Sequence, residues 1–234
     1  MSFGSVGVGG GARRGVQRAA LALVLGLSVA VGAYAQTAAE GVKDTISFSA
    51  KRVESVLAKG KEKTILVGQA RVLTGSMEIK ADRIELTGTD YRNVACTGSV
   101  SVIDTEKEFS LVSATLVYDR ETEIGLAEGK VELDDSKNGV ILDAEWVQFD
   151  QKESLVEARN SVHILKEDFA VRAEFATFNR NDESLALTGV PVAATGSGTI
   201  QADKITGAAG ADSLEFSGQV SGTITTKKKE GTAP

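Results

Sequence analysis

His163 is the single histidine of this 234-residue chain and Cys96 its single cysteine. Metal-assisted catalysis needs several ligands at fixed spacing, and acyl transfer needs a nucleophile, a base and a group that orients the base. His163 has no such partners nearby in sequence and falls at an outward, polar position of the pattern described below, so it reads as a solvated strand residue. Cys96 has no second cysteine to pair with. It falls at an apolar position and reads as a small buried hydrophobe. Four carboxylates recur at one fixed step, Asp82, Glu145, Glu174 and Asp203, but Lys51 and Thr115 occupy the same step in other copies. That mixture suits a solvated corner better than a ligand set. No phosphate-cradling glycine loop precedes a helix. The expectation is therefore no catalytic residue, no metal site and no cofactor, and nothing selects the scattered carboxylates that a repeat-built lyase would use.

The elements that hold these residues repeat with a period near thirty. Gly68, Gly98, Gly129, Asn160, Gly189 and Gly218 mark six copies, at intervals of 30, 31, 31, 29 and 29 residues. Self-similarity at such a period means that one supersecondary unit is stacked on itself. Two residues before each anchor stand Leu66, Cys96, Ala127, Ala158, Leu187 and Phe216, and two after it Ala70, Val100, Val131, Val162, Pro191 and Val220. The positions between are mostly polar, as in a strand with one dry and one wet face. The glycine itself predicts a bend or bulge.

A turn follows, clearest in Asp134 to Gly139 with its Asn138-Gly139 hairpin signal. A second strand is anchored on Ala50, Ala81, Ala114, Ala144, Ala173 and Ala202, at intervals of 31, 33, 30, 29 and 29. Apolar residues stand two before and three after each alanine, so the inward face switches parity just past it, which requires an extra residue or a corner. The inward positions so assigned are Leu66, Val72, Ile79, Ile84, Val100, Val102, Val112, Val117, Val131, Leu133, Leu142, Val147, Phe149, Val162, Ile164, Val171 and Phe178. Together they form a continuous dry face, which serves equally as a closed core or as the lining of a groove. Pro191 and the Thr195 to Gly198 stretch make the chain less regular from about 190. Lys51 to Lys59 reads as a short turn.

Arg13, Arg14 and Arg18, the apolar run Ala19 to Ala33 and the small-x-small site Ala33-Tyr34-Ala35 read as a secretory signal spanning 1–35. The apolar run is 15 residues long, short of the roughly 20 that cross a bilayer. Those three arginines are the leader's only charged residues, so the remainder holds 23 basic residues against 32 acids, a net charge of −9. An acidic body repels a phosphate backbone, and no nucleic-acid partner is expected. Residues 36–225 read as one domain and 226–234 as a disordered basic tail.

The unit G-x-V-x-h, turn, h-x-A-[DE]-x-h, carried by Gly68 to Leu86, Gly98 to Asp119, Gly129 to Phe149 and Asn160 to Phe178, resembles the LptA/OstA-like family of periplasmic lipopolysaccharide-transport proteins, whose domain recurs in LptC and the N-terminal part of LptD. The resemblance implies an all-β fold, an elongated, twisted, V-shaped antiparallel β-jellyroll. It also implies that the inward residues listed above line a groove for acyl chains of lipopolysaccharide or a related glycolipid. The implied partners are LptC-like and LptD-like OstA-domain proteins, joined by strand-edge addition, and further copies in a head-to-tail oligomer. The implied role is a bridge between inner and outer membranes. Two alternatives stay open: an LptC-like component that keeps its leader as an anchor, and a β-solenoid scaffold with a closed core and no lipid. Cleavage before Gln36 is expected, and mass spectrometry of the exported protein checks it; an intact Met1 terminus would overturn it.

Overall fold

The computed structural model describes residues 45–167, 169–208 and 214–226. The leader with its cleavage site and the tail from 227 lie outside the described residues. Nearly all of the described chain is antiparallel sheet. Short strands β1 (Ile46–Ser49) and β2 (Arg52–Val56) come first. Eight long strands follow: β3 (Lys63–Thr74), β4 (Met77–Thr87), β5 (Asn93–Asp104), β6 (Phe109–Asp119), β7 (Ile124–Asp135), β8 (Val140–Asp150), β9 (Leu155–Lys166) and β10 (Phe169–Asn179). Six short strands close the series: β11 (Ser184–Thr188), β12 (Val192–Thr195), β13 (Gly198–Gln201), β14 (Lys204–Ala208), β15 (Leu214–Ser217) and β16 (Ser221–Ile224). The segment read as a turn, Lys51 to Lys59, is mostly β2, because its backbone pairs with β3 from Arg52↔Val67 to Val56↔Lys63.

The pairing makes the short strands halves of long ones. β1 and β2 lie along the two halves of β3, and β12 and β11 along the two halves of β10. β13 and β14 continue on β12 and β11, and β16 and β15 on those. The described chain is thus one meander in which each pass hydrogen-bonds to the passes before and after it. Among the described residues β1 and β2 pair only on their β3 side, and β15 and β16 only on their β14 and β13 side.

Every long pass bends at the level of the anchor glycines. There two residues of one strand face one residue of the next: Gly68 and Gln69 lie between the pairs Val67↔Arg83 and Ala70↔Ala81, opposite Asp82 alone. The same two-against-one step recurs between Thr97 and Val100, between Glu128 and Val131, and between Arg159 and Val162. Both bulge residues are left-handed, with φ of 79° and 48° at Gly98 and Ser99 and of 81° and 48° at Gly129 and Lys130. At Gly98 and Gly218 glycine is needed for space as well as for dihedral freedom. A Cβ on Gly98 would lie 2.4 Å from Asp82 Oδ2, and one on Gly218 2.2 Å from Asp203 Oδ2. The recurring acids complete the bulge: Asp203 accepts from the Gln219 amide at 2.8 Å, and Asp82 from the Ser99 hydroxyl at 3.4 Å. They are corner residues with a structural task.

The bend folds the sheet into two facing layers. One holds the halves of the passes that meet at the β3–β4, β5–β6, β7–β8 and β9–β10 turns, the other the halves that meet at the β4–β5, β6–β7, β8–β9 and β10–β11 turns. This is the twisted antiparallel jellyroll, and its inner faces share one apolar core.

The assignment of Val112 and Val117 to the inward face is corrected. They are 44% and 56% exposed, while Leu111 and Leu116 are 1% exposed. Val100 pairs with Ser113 as Val131 pairs with Ala144, so Ser113 holds the alanine place and Ala114 the corner place. Ser113 is tolerated inside because its hydroxyl donates to the Thr115 carbonyl at 2.9 Å. A slip of one residue turns every side chain to the other face. Leu111→Ala should therefore cost about 2–5 kcal/mol and Val112→Ala no more than about 0.5 kcal/mol, measured by urea unfolding; the reverse order would restore the original register.

Candidate functional site

The described residues that face the space between the layers are mostly apolar. His163 is on the outer face and exposed. Cys96 is buried, and burial pushes its thiol up to about 12, where it remains protonated. The other fifteen inward residues predicted from sequence all face the interior, none more than 4% exposed. Phe109 of one layer meets Phe149 of the other at 5.9 Å between ring centroids, and Tyr118 lies beside Phe149 at 6.1 Å. The Phe149 ring occupies the place of a missing side chain: a Cβ on Gly125 would lie 2.0 Å from it. The cavity left between Phe109, Leu133, Phe149 and Val156 has a volume of about 20 Å³, room for about one water.

At the two ends of the meander the interior reaches solvent. Phe48 and Val53 pair with inward Val72 and Leu66, yet they are 49% and 43% exposed. At the far end Ile224, opposite Gly198 of β13, is 76% exposed.

Opposite the bulge corner the layers meet along a seam between two lines of turns. Within each line, turns about thirty residues apart are joined by backbone bonds, such as Thr105 N–H to the Ser76 carbonyl at 3.3 Å and Arg180 N–H to the Ser154 carbonyl at 2.8 Å. In one line Arg92 grips Asp119 and Glu121, and its guanidinium holds the Asp119 carboxyl down to about 2. Between the lines only side chains reach across, among the described residues. Arg120 donates to the Thr74 hydroxyl at 3.5 Å, and Gln151 to Asp104 at 3.4 Å. Arg180 grips Asp135 with two bonds, Nε to Oδ2 at 2.5 Å and Nη2 to Oδ1 at 2.8 Å, and donates to the Lys107 carbonyl at 2.8 Å. Lys166 pairs with Glu183.

Sequence reasoning passed over these residues, although a signal for them was present. Thr74, Asp104, Asp135 and Lys166 stand six residues after successive anchors, at inward parity, where the pattern asks for an apolar residue. A polar side chain held inside needs a partner. The partners Arg120, Gln151 and Arg180 stand nine residues before the anchors of later units, so the lattice of the repeat itself brings the two columns together. Asp135 is fully buried, and its Arg180 partner has a side chain only 14% exposed.

Burial raises the Asp135 carboxyl, but Arg180 and Asn138 outweigh it and hold the group below its ordinary value. A depressed carboxyl contributes stability that is complete above the unfolded value of about 3.9 and is lost as pH falls through the folded one. Asp135→Asn strands a guanidinium with little access to water. It is expected to cost about 3 kcal/mol near neutral pH, with the gap to the parent narrowing below about pH 4; denaturant unfolding across that range measures it, and a gap that stayed constant in acid would refute the assignment.

Comparison with known proteins adds to this geometry. Residues 49–213 match the model of a family described as LptA/(LptD N-terminal domain) LPS transport protein. Among solved structures the chain is similar to LptH, the LptA-homologous periplasmic component of the conserved lipopolysaccharide transport device from Pseudomonas aeruginosa. That similarity is 12% in identity, covers 79% of this chain and 97% of that one, and has a TM-score of 0.28. None of the curated proteins matches the chain. The family match runs from the last residue of β1 to the residue before β15 and takes in most of the jellyroll, and so the chain belongs to the LptA/(LptD N-terminal domain) family of LPS transport proteins.

Proposed function

We propose that this protein carries the acyl chains of lipopolysaccharide or a related glycolipid across the periplasm, shielded between its two layers, as part of a bridge from the inner to the outer membrane. The observation that carries this reading is the apolar interior that runs the length of the meander and meets water at both ends, at Phe48 and Val53 and at Ile224. Burial of a twelve-carbon chain is worth on the order of 10 kcal/mol at about 0.8 per methylene. Such a chain does not cross water unshielded, and an interior continued from one protein to the next would keep it dry while the sugars stay wet. The edges at β1 and β2 and at β15 and β16 suit strand addition, because unpaired ladder groups are templates for another strand. LptC-like and LptD-like OstA-domain proteins, or further copies of this chain, are the partners this would join. Carriage of this kind makes and breaks no covalent bond, so the protein is not an enzyme. Residues 36–225 act as one carrier body, exported with loss of the leader near Ala35-Gln36, and 226–234 as a basic tail.

A second reading, a scaffold with a closed core, draws on one observation, the tightness of the interior around Phe149. Photo-crosslinking amino acids separate the two. Probes at Val131 or Phe149 should capture lipid and a probe at outward Glu132 should not. Equal labelling at all three, or none at the inward pair, would favour the scaffold.

A further inference from the structure

An interior whose side chains already fill it accepts an acyl chain only when the layers part, and the structure limits where they can part. At the bulge corner every long pass crosses from layer to layer as continuous chain, and opening there would break ladder bonds on both sides. Along the seam the described residues hold the layers together with side-chain bonds alone. These bonds are unequal. Asp104–Gln151 at 3.4 Å is long, and beside it lies a cavity of about 260 Å³ with Met77 and Tyr118 among the mostly polar residues of its wall. Asp135–Arg180 is charged, bidentate and buried, reinforced from Asn138 to Asp135 at 2.9 Å. Charge-assisted forked pairs of this kind are among the stronger protein hydrogen bonds.

We infer that the seam is a lateral gate for acyl chains, with the Asp104–Gln151 link as the part that yields and Asp135–Arg180 as the bolt that sets how far it opens. The inference rests on the carrier reading above and adds to it the route of entry. Lateral entry leaves the sugar and phosphate part of the lipid in water throughout. Threading from an end forces each unit in turn to repack around the moving chain. The bolt also keeps the gate closed when no lipid is present, since an open seam would wet the whole apolar interior at once.

Asp135→Cys and Arg180→Cys, introduced together in the full chain, allow the seam to be tied with a reducible bis-methanethiosulfonate linker. Cys96 stays out of that reaction, buried and with its thiol pushed up to about 12. The readout is uptake of a fluorescent fatty-acyl probe. Tying is expected to slow uptake about tenfold or more, the factor that about 1.4 kcal/mol of added barrier produces, and reductant should restore it in the same sample. Equal uptake by the tied and reduced forms would overturn the gate and leave the carrier reading standing. Failure of the unmodified chain to take up the probe at all would overturn both. As a second variant, Asp135→Leu with Arg180→Leu removes the bolt without leaving a buried charge. It should load faster than the unmodified chain, and an unchanged rate counts against the bolt.

Discussion

The left-handed pair at each bulge is the constraint on which this structure depends. Two residues against one, at the same level in pass after pass, bend the sheet along a single line and turn one ribbon into two facing layers. An extra residue in one strand of a pair increases local twist and redirects the chain. A single bulge would only re-aim a side chain, whereas a line of bulges in register makes a fold. The glycines, the acids that rest against them and the parity switch past the alanine column are one device seen from three sides. Its repetition also determines what lies opposite, because passes of equal length bent at the same level bring their turns together along a seam.

Much of this was legible in the residues themselves. The period, the alternation and the need for a bulge at Gly98 or Gly129 follow from side-chain type and spacing, because the two faces of a strand meet different solvents. The third copy was misread because Ala114 resembles the anchor while Ser113 holds its place, and apolarity is the same at Leu111 and Val112. Only the ladder distinguishes them. The interval of 33 between Ala81 and Ala114 was the trace of that slip. The seam was legible in part, as polar residues at an inward column. Their partners lie in units farther along the chain, and a linear reading does not show which turns a bend will bring together.

The interior and the seam divide the physical work. The interior is uniform, with apolar columns, small residues such as Ala127 and Ala158, and glycine at 125 where the Phe149 ring needs room. The seam is graded, from a long amide contact at Asp104 to a buried ion pair at Asp135. A uniform interior favours no position along its length for an apolar guest. A graded seam gives the body a direction that the repeat alone lacks.

The meander also has a kinetic consequence. Each hairpin pairs residues close in sequence, and such contacts form quickly because little chain must be closed to make them. The Thr74–Arg120, Asp104–Gln151 and Asp135–Arg180 bonds join residues 45 to 47 apart, so they have to wait until one and a half units of ladder are in place. In a newly made chain the sheet would grow one hairpin at a time from any point along its length, with these bonds fastened last.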